Sequence, residues 1–154
     1  MRRADKHPNA VGLCTGAGGF DFGAEISGWN IRAAFEINPI ARWTYHKQIA
    51  EGSDTWVSGN DITEYDPNEI DVDVTGLFGG PPCTKLSEAK GEHYDGEPED
   101  LVAWSVIKWV DKLEPAVFAI ENVEAMERNY PELMSRYLGE LRDRGYTVKP
   151  VVLD

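Results

Sequence analysis

Short apolar runs alternate with longer, partly polar stretches along most of the chain. Compact hydrophobic runs bounded by glycine, proline or charged residues are typical of buried strands, and apolar positions three and four residues apart are typical of helices. The runs predict strands over 10–14, 31–35, 56–57, 72–78, 116–120 and 148–153, with 116–120 as a central buried strand. The remaining stretches predict helices over 20–27, 39–49, 99–113 and 131–145.

Strands that alternate with helices in this way predict an α/β fold with a parallel, doubly wound sheet. The helix predicted over 99–113 has Val102, Val106, Trp109 and Leu113 at spacings of four, three and four, which indicates one buried face. A length of 154 residues fits a single domain that spans the whole chain.

The chain is acidic, with a formal net charge of −12. This charge argues against a surface that by itself grips nucleic-acid phosphates. Two explanations stay open: an acidic surface suited to high salt, or a basic surface on a missing segment or partner. No apolar run reaches the roughly 18–20 residues of a membrane span, and no signal peptide is evident, so we expect a cytoplasmic protein without membrane contact. The two cysteines, Cys14 and Cys83, fit a reducing compartment, and no motif predicts a metal site.

A stiff turn, Gly79-Gly80-Pro81-Pro82, separates the predicted strand 72–78 from Cys83. Open α/β sheets place their chemistry just beyond such strand ends, so Cys83 is a candidate nucleophile. The alternative is a free cysteine that acts as a small apolar residue. Glu121 follows the strand over 116–120 in the same way, and partial burial there would raise the pKa of its carboxyl and let it donate a proton.

A glycine-rich turn follows the first predicted strand and precedes a helix. Its glycines allow a ligand to approach the backbone, although they do not form the dinucleotide pattern G-x-G-x-x-G. Glu36 at the end of the second strand can accept hydrogen bonds from ribose hydroxyls, with Ile37 against the base. Asp61 can accept from an exocyclic amine. Glu36 as a solvated strand end, and Asp61 in an Asx-turn, are the alternatives.

Together these motifs resemble the DNA cytosine methyltransferases that act at ring carbon 5, over nearly the whole chain. The resemblance implies a Rossmann-like methyltransferase fold that binds S-adenosyl-L-methionine. It assigns cofactor binding to the turn and three later segments: Thr15, Gly16, Ala17, Gly18, Gly19, Phe20, Glu36, Ile37, Asp61, Ile62, Gly80 and Pro81. It assigns catalysis to Pro82, Cys83, Ser87, Glu121 and Asn122.

The resemblance also implies a reaction on a cytosine flipped out of duplex DNA, in a restriction-modification setting. Cys83 would add to carbon 6 of the base, and Glu121 would supply a proton near ring nitrogen 3. After methyl transfer, loss of the carbon-5 proton and of the thiol would restore the ring.

The chain departs from the family pattern at several positions. Gly12 stands where an acidic residue is common, and Cys14 where phenylalanine is common; Thr84 and Leu86 alter the segment after the nucleophile. The target recognition region and a final strand beside 116–120 are missing, so we expect an unpaired sheet edge at the C-terminal side. This predicts a catalytic part completed by a second polypeptide that carries the recognition domain. An inactive remnant that binds cofactor or a partner, and an RNA cytosine methyltransferase, are the alternatives.

Overall fold

The computed structural model describes residues 7–82, 98 and 101–153. Its strands are β1 (Asn9–Leu13), β2 (Asn30–Phe35), β3 (Trp56–Ser58), β4 (Gly76–Gly79) and β5 (Val117–Ile120). Its α-helices are α1 (Gly19–Ile26), α2 (Pro39–Tyr45), α3 (Val102–Leu113), α4 (Glu124–Asn129) and α5 (Pro131–Asp143). A π-helical turn (His46–Ala50) extends α2, and a 3₁₀ turn (Pro67–Glu69) precedes β4.

The five strands form one parallel sheet in the order β3-β2-β1-β4-β5. This order confirms the predicted parallel α/β sheet. β1 is bonded to β2 on one side and to β4 on the other, so the chain segments leaving these strands diverge and open a crevice at the carboxyl edge. None of the helices in the described ranges is long and apolar enough to cross a bilayer.

Two apolar layers cover the sheet because its strands alternate their side chains between the two faces. Val11 and Leu13 of β1 pack on one face with Trp109 of α3 and Leu141 of α5. Ala10 belongs to the opposite face, with helices α1 and α2. The stripe predicted on α3 is confirmed, with its middle members Val106 and Trp109 fully buried. The sheet is therefore doubly wound, as predicted.

The C-terminal third departs from the sequence expectations. The run over 116–120 does form β5, but β5 lies at the edge of the sheet, and Val117 is 42% exposed. The prediction of a central strand is wrong because a continuous apolar run records side-chain character and not the number of neighbouring strands. Residues 148–153 form no strand, and Leu153 is 89% exposed. Helix α4 was not predicted; its short, charged sequence is anchored by Met126, which is 2% exposed.

The unpaired sheet edge expected at the C-terminal side is present among the described residues. β5 pairs with β4 along one side, and its other side has no strand against it in residues 7–82 and 101–153. The apolar side chains of Val151 and Val152 are also more than half exposed. An open strand edge can accept a further strand.

A buried carboxyl lies between β1 and the helices on the α1–α2 face. Asp21 of α1 is 1% exposed, and its Oδ2 accepts a hydrogen bond from the Tyr45 hydroxyl at 2.9 Å. A side chain at Gly12 would collide with this carboxyl, so Asp21 occupies the space that an acidic residue at position 12 would need. Burial raises the pKa of Asp21 to about 7.

The aromatic cluster under the loop after β3 fixes that loop to α3. The Phe35 and Trp109 rings lie 4.8 Å apart, and the Tyr65 ring stacks on Trp109 at 6.0 Å. The Trp109 indole Nε1 donates to the Ile62 carbonyl oxygen at 2.9 Å. Lys108, the residue before Trp109, donates from its Nζ to the Tyr65 carbonyl oxygen at 2.7 Å. Helix α3 therefore sets the position of residues 61–65.

Asp21→Asn should remove a pH dependence of folding stability. Between the pKa of Asp in the unfolded chain and about 7, the folded chain keeps a proton on Asp21 that the unfolded chain has lost. The free energy of unfolding therefore falls by about 1.4 kcal/mol per pH unit over this range and is flat above it. We expect Asp21→Asn to melt higher than the unaltered chain at pH 8, with the difference shrinking toward pH 4. Thermal melts across pH test this, with exposed Asp71→Asn as control; a pH-independent difference would contradict it.

Trp109→Phe should destabilise the chain by about 1–3 kcal/mol, because the buried Ile62 carbonyl would lose its donor. Trp104→Phe on the same helix is the matched control, since Trp104 is only half-buried and packs against Tyr137. Urea titrations of the two variants measure the difference. Equal losses for both would show that the indole hydrogen bond contributes nothing.

Candidate cofactor and active site

Each strand of the sheet delivers one candidate segment to the same carboxyl edge. The backbone continues the strand pairing beyond the strand ends: Thr15 N donates to Phe35 O at 3.1 Å, Gly80 N to Leu13 O at 3.3 Å, and Glu121 N to Gly79 O at 2.8 Å. The predicted segments therefore lie side by side. They are the turn over 15–19 after β1, Glu36 after β2, Asp61 after β3, Gly80 to Pro82 after β4, and Glu121 after β5.

The glycine turn is tight and closely packed. Gly16 and Gly18 have φ values of 57° and 97°, which favour glycine, and Gly18 N donates to Thr15 O at 2.9 Å. A Cβ at Gly18 would overlap the side chains of Ile49 and Tyr45. Helix α1 begins at once at Gly19 without a side-chain cap. Its first backbone N–H groups are therefore directed at the crevice edge.

Glu36 holds the turn and the start of α2 together. Its Oε2 accepts from Gly16 N at 2.8 Å, and its Oε1 accepts from Asn38 N at 2.7 Å. Asn38 in turn caps α2, since its Oδ1 accepts from Ile40 N and Ala41 N. Each carboxylate oxygen keeps further acceptor capacity, so an ordered carboxylate is available to the hydroxyl groups of a ligand.

Asp61 makes the Asx-turn that the sequence left open as an alternative. Its Oδ1 accepts from Thr63 N at 2.9 Å and from Thr63 Oγ1 at 2.8 Å. No residue in the described ranges donates to Oδ2, so the turn orients one carboxylate oxygen while leaving the other available. The two uses of Asp61 are compatible, because the turn is what fixes the direction of the available oxygen.

A cleft of about 240 Å³ joins several of these groups. It brings together six of the predicted residues, namely Glu36, Ile37, Asp61, Ile62, Gly80 and Pro82, and adds Cys14, Phe35, Asn60 and Val102. The other predicted cofactor residues do not line it: Thr15, Gly18 and Pro81 are buried, Gly16 and Ala17 lie in the turn, and Gly19 and Phe20 are the first residues of α1. Phe20 stacks on Phe78, with ring centroids 5.9 Å apart.

Cys14 lines the cleft at the position where phenylalanine is common in the family that the chain resembles. Its backbone has φ 51°, a conformation that residues other than glycine seldom adopt, and its side chain is half-buried. Burial raises the pKa of its thiol to about 12, and the nearby Glu36 and Asp61 carboxylates add to the shift. Cys14 is therefore a neutral thiol in the cleft wall, which fits a packing role and not a nucleophilic one.

The active-site side of the edge is only partly described. Cys83 and Ser87 lie outside the described residues. The Glu121 carboxylate lies against Gly80, where a Cβ would come within 3.0 Å of its Oε2. Glu121 is exposed, so the partial burial considered from the sequence is not found. Asn122 Oδ1 accepts from Val123 N at 2.7 Å.

The cleft is rich in acceptors and has no basic side chain among its described lining residues. Phosphate groups would be repelled by Glu36 and Asp61, whereas hydroxyl groups, an amine and a positively charged centre would be favoured. A nucleoside without phosphates that carries a sulfonium or an ammonium group has this chemistry. The residues present therefore fit S-adenosylmethionine better than a dinucleotide.

Asn60, Phe35 and Val102 also line the cleft, although none of them was singled out as a site residue. The sequence indicated only a packing role for Phe35, which ends a predicted strand, and for Val102, which begins a predicted apolar stripe. Asn60 stands beside Asp61, and its N–H donates to Ser58 Oγ at 3.1 Å. Adjacency to a predicted binding residue was the available signal for Asn60.

Solved structures of methyltransferases have this fold. An Entamoeba histolytica methyltransferase, EhMeth, superposes with a TM-score of 0.68 at 24% identity, over 94% of this chain and 46% of that one. A Spodoptera frugiperda DNMT2 mutant superposes with a TM-score of 0.63 at 25% identity, over 86% of this chain and 41% of that one. The Rossmann-like methyltransferase fold is thus confirmed.

Sequence relatives of this chain include type II methyltransferases. The type II methyltransferase M.DdeI of Desulfomicrobium norvegicum is 32% identical over 75% of this chain and 28% of its own length. M.FnuDI of Fusobacterium nucleatum is 30% identical over 90% of this chain and 39% of its own length. The chain thus spans well under half the length of these two relatives. The family model for C-5 cytosine-specific DNA methylase matches residues 9–154, which is nearly the whole sequence, and the chain therefore belongs to that family.

Proposed function

We propose that this chain is the cofactor-binding and catalytic part of an enzyme that methylates carbon 5 of cytosine in DNA. The observation that supports this most directly is that the candidate cofactor-binding residues and the candidate catalytic acid lie at the same edge of the sheet. The acceptors Glu36 and Asp61 line a cleft that Gly80 and Pro82 also line, and the Glu121 carboxylate lies against Gly80. The cofactor cleft and the candidate acid are thus joined by the segment that leads to Cys83.

S-adenosylmethionine, when bound, supplies an electrophilic methyl group. In the proposed site the Glu36 carboxylate accepts from the ribose hydroxyls and Asp61 Oδ2 from the adenine amine, with Ile37 against the base. The turn over 15–19 lies beside Glu36, because Gly16 N donates to it. These residues bind and orient the cofactor, and the remaining cleft wall, with Cys14, excludes water from it.

Cys83 is the proposed nucleophile. Its thiolate forms a bond to carbon 6 of cytosine, and the electron pair of the carbon 5–carbon 6 double bond moves into the ring toward nitrogen 3. Glu121 donates a proton at nitrogen 3 and neutralises the charge that develops there. Once carbon 5 has received the methyl group, it loses its proton to a base, and this electron pair re-forms the double bond as the sulfur–carbon bond breaks and releases the thiolate. Nitrogen 3 returns its proton to Glu121.

The base must leave the duplex stack to reach Cys83, and a surface with a net charge of −12 is poorly suited to hold duplex DNA alone. We infer that further polypeptide supplies the recognition region and the basic surface. The open side of β5 supports this, since no strand covers it in residues 7–82 and 101–153. The type II relatives described above also favour a cytoplasmic role in restriction-modification.

Asp61→Asn should weaken binding of S-adenosylhomocysteine by about tenfold or more, because the amide nitrogen that replaces Oδ2 cannot accept from the adenine amine. The amide oxygen still accepts from Thr63, so the turn is kept. Asp66→Asn is a matched control, since Asp66 makes the same kind of turn, accepting from Asn68 N at 3.0 Å outside the cleft. Calorimetric titration measures both. Equal affinity of Asp61→Asn and the unaltered chain would contradict the cofactor site.

Cys83→Ser should abolish DNA methylation by the chain when it is co-expressed with the polypeptide that supplies the recognition region. The unaltered chain alone should methylate DNA negligibly.

Duplex DNA carrying 5-fluorocytosine should form a stable thioether with the unaltered assembly, since fluorine cannot leave as a proton does. Cys14→Ser is the control and should keep the adduct. Methyl incorporation and mass spectrometry provide the readouts. Full activity of Cys83→Ser would contradict the nucleophile, and robust methylation by the chain alone would contradict the need for a second polypeptide.

A further inference from the structure

We propose that Arg42 is a positioning residue that fixes the two halves of the adenosine site at one separation. The proposal rests on the proposed cofactor site and adds a residue to it that no motif singled out. One half is the Glu36-Ile37 segment after β2, and the other is the Gly59-Asn60-Asp61 segment after β3. Arg42 belongs to neither half.

The guanidinium of Arg42 is bound to the first half. Its Nη1 donates to the Glu36 carbonyl oxygen at 2.9 Å and to the Ile37 carbonyl oxygen at 3.3 Å. Helix α2 provides the anchor, since Arg42 N donates to Asn38 O at 2.9 Å and the Asn38 side chain caps the helix. The side chain therefore reaches back over the first turn of its own helix, the direction that helical side chains favour.

The same guanidinium lies against the second half. A Cβ built on Gly59 would come within 2.5 Å of Arg42 Nη1 and 2.8 Å of Arg42 Cζ. The guanidinium thus fills the space that any side chain at position 59 would occupy. Gly59 has no positive φ in this structure, so its value is the room it leaves for Arg42 and not a special backbone conformation.

The two halves are joined by the pairing of β2 with β3 and, deeper in the fold, by the contact of the Phe35 and Tyr65 rings at 4.9 Å; Arg42 adds a direct contact beyond the last backbone hydrogen bond. β3 has three residues and lies at the sheet edge. The backbone hydrogen bond just beyond it runs from Glu36 N to Ser58 O, at 3.0 Å. Past that hydrogen bond the two segments separate to form the cleft. A planar guanidinium suits this position, since it can donate in its plane to one segment while its face covers the other.

Arg42 therefore controls the distance between the Glu36 carboxylate and Asp61 Oδ2, which are the acceptors for the two ends of a nucleoside. A change in that distance would weaken both interactions with the same ligand. Arg42 itself need not touch the ligand, because its Nη1 already donates to two backbone carbonyls.

Amide hydrogen exchange of Arg42→Met tests the bridge without any ligand. We expect the amides of Glu36 and Asn60 to exchange about tenfold faster, because the hydrogen bond between the halves would open more often. The Thr15 amide, which donates to Phe35 O, should keep its protection.

Arg42→Lys should show a smaller increase in exchange than Arg42→Met, since the ammonium can donate to the carbonyls but cannot cover Gly59 as a planar guanidinium does. Gly59→Ala should reproduce Arg42→Met by displacing the guanidinium. Arg32→Met, on β2 with an exposed ion pair to Asp54, is the matched control and should change nothing at these amides.

Titration with S-adenosylhomocysteine gives the second readout. Arg42→Met and Gly59→Ala should each lose about tenfold in affinity, with Arg42→Lys in between. Unchanged exchange at Glu36 and Asn60 in Arg42→Met would overturn the proposal. A uniform loss of protection that includes Thr15 would also overturn it, because it would show a general effect on stability. If the unaltered chain binds no S-adenosylhomocysteine, the proposed cofactor site fails, whereas the exchange measurements still decide the role of Arg42.

Discussion

The hydrogen-bonded contact between β1 and β4 is the constraint on which the site depends. Leu13 O accepts from Gly80 N at the last rung, and a side chain at Gly79 would collide with the Leu13 carbonyl. The close approach that Gly79 permits brings the turn after β1 next to the segment that leads to Cys83. Because the strand order reverses direction at this pair, the two segments then diverge and leave the cleft between them.

A second link runs through helix α3. The helix begins at Val102 in the cleft wall, and further along it Lys108 and Trp109 hold the carbonyl oxygens of Tyr65 and Ile62. The Val102 wall of the cleft and the segment that carries Asp61 are therefore held by the same helix.

The helix ends that are marked by glycine or proline could be predicted from the sequence. Gly28 and Gly145 end helices with positive φ, Pro39 and Pro131 begin them, and these positions agree with the structure. What depends on neighbours could not be predicted. The run over 116–120 gave no sign that β5 lies at an edge, and 148–153 has the composition of a strand but no partner. At the site, Glu36 and Asp61 could be found because their carboxylates follow strands. Arg42 could not, because its partners are backbone carbonyls, which leave no trace in the pattern of side chains.

The open side of β5 has a consequence for how such a chain is made in a cell. In residues 7–82 and 101–153 no strand lies against this side of β5, so its backbone groups can pair with an extended segment, including the same edge of another copy. Copies in which this edge stays uncovered would associate with one another and become targets for proteolysis. Covering that edge soon after synthesis is then as much a constraint on this chain as the packing of its cleft.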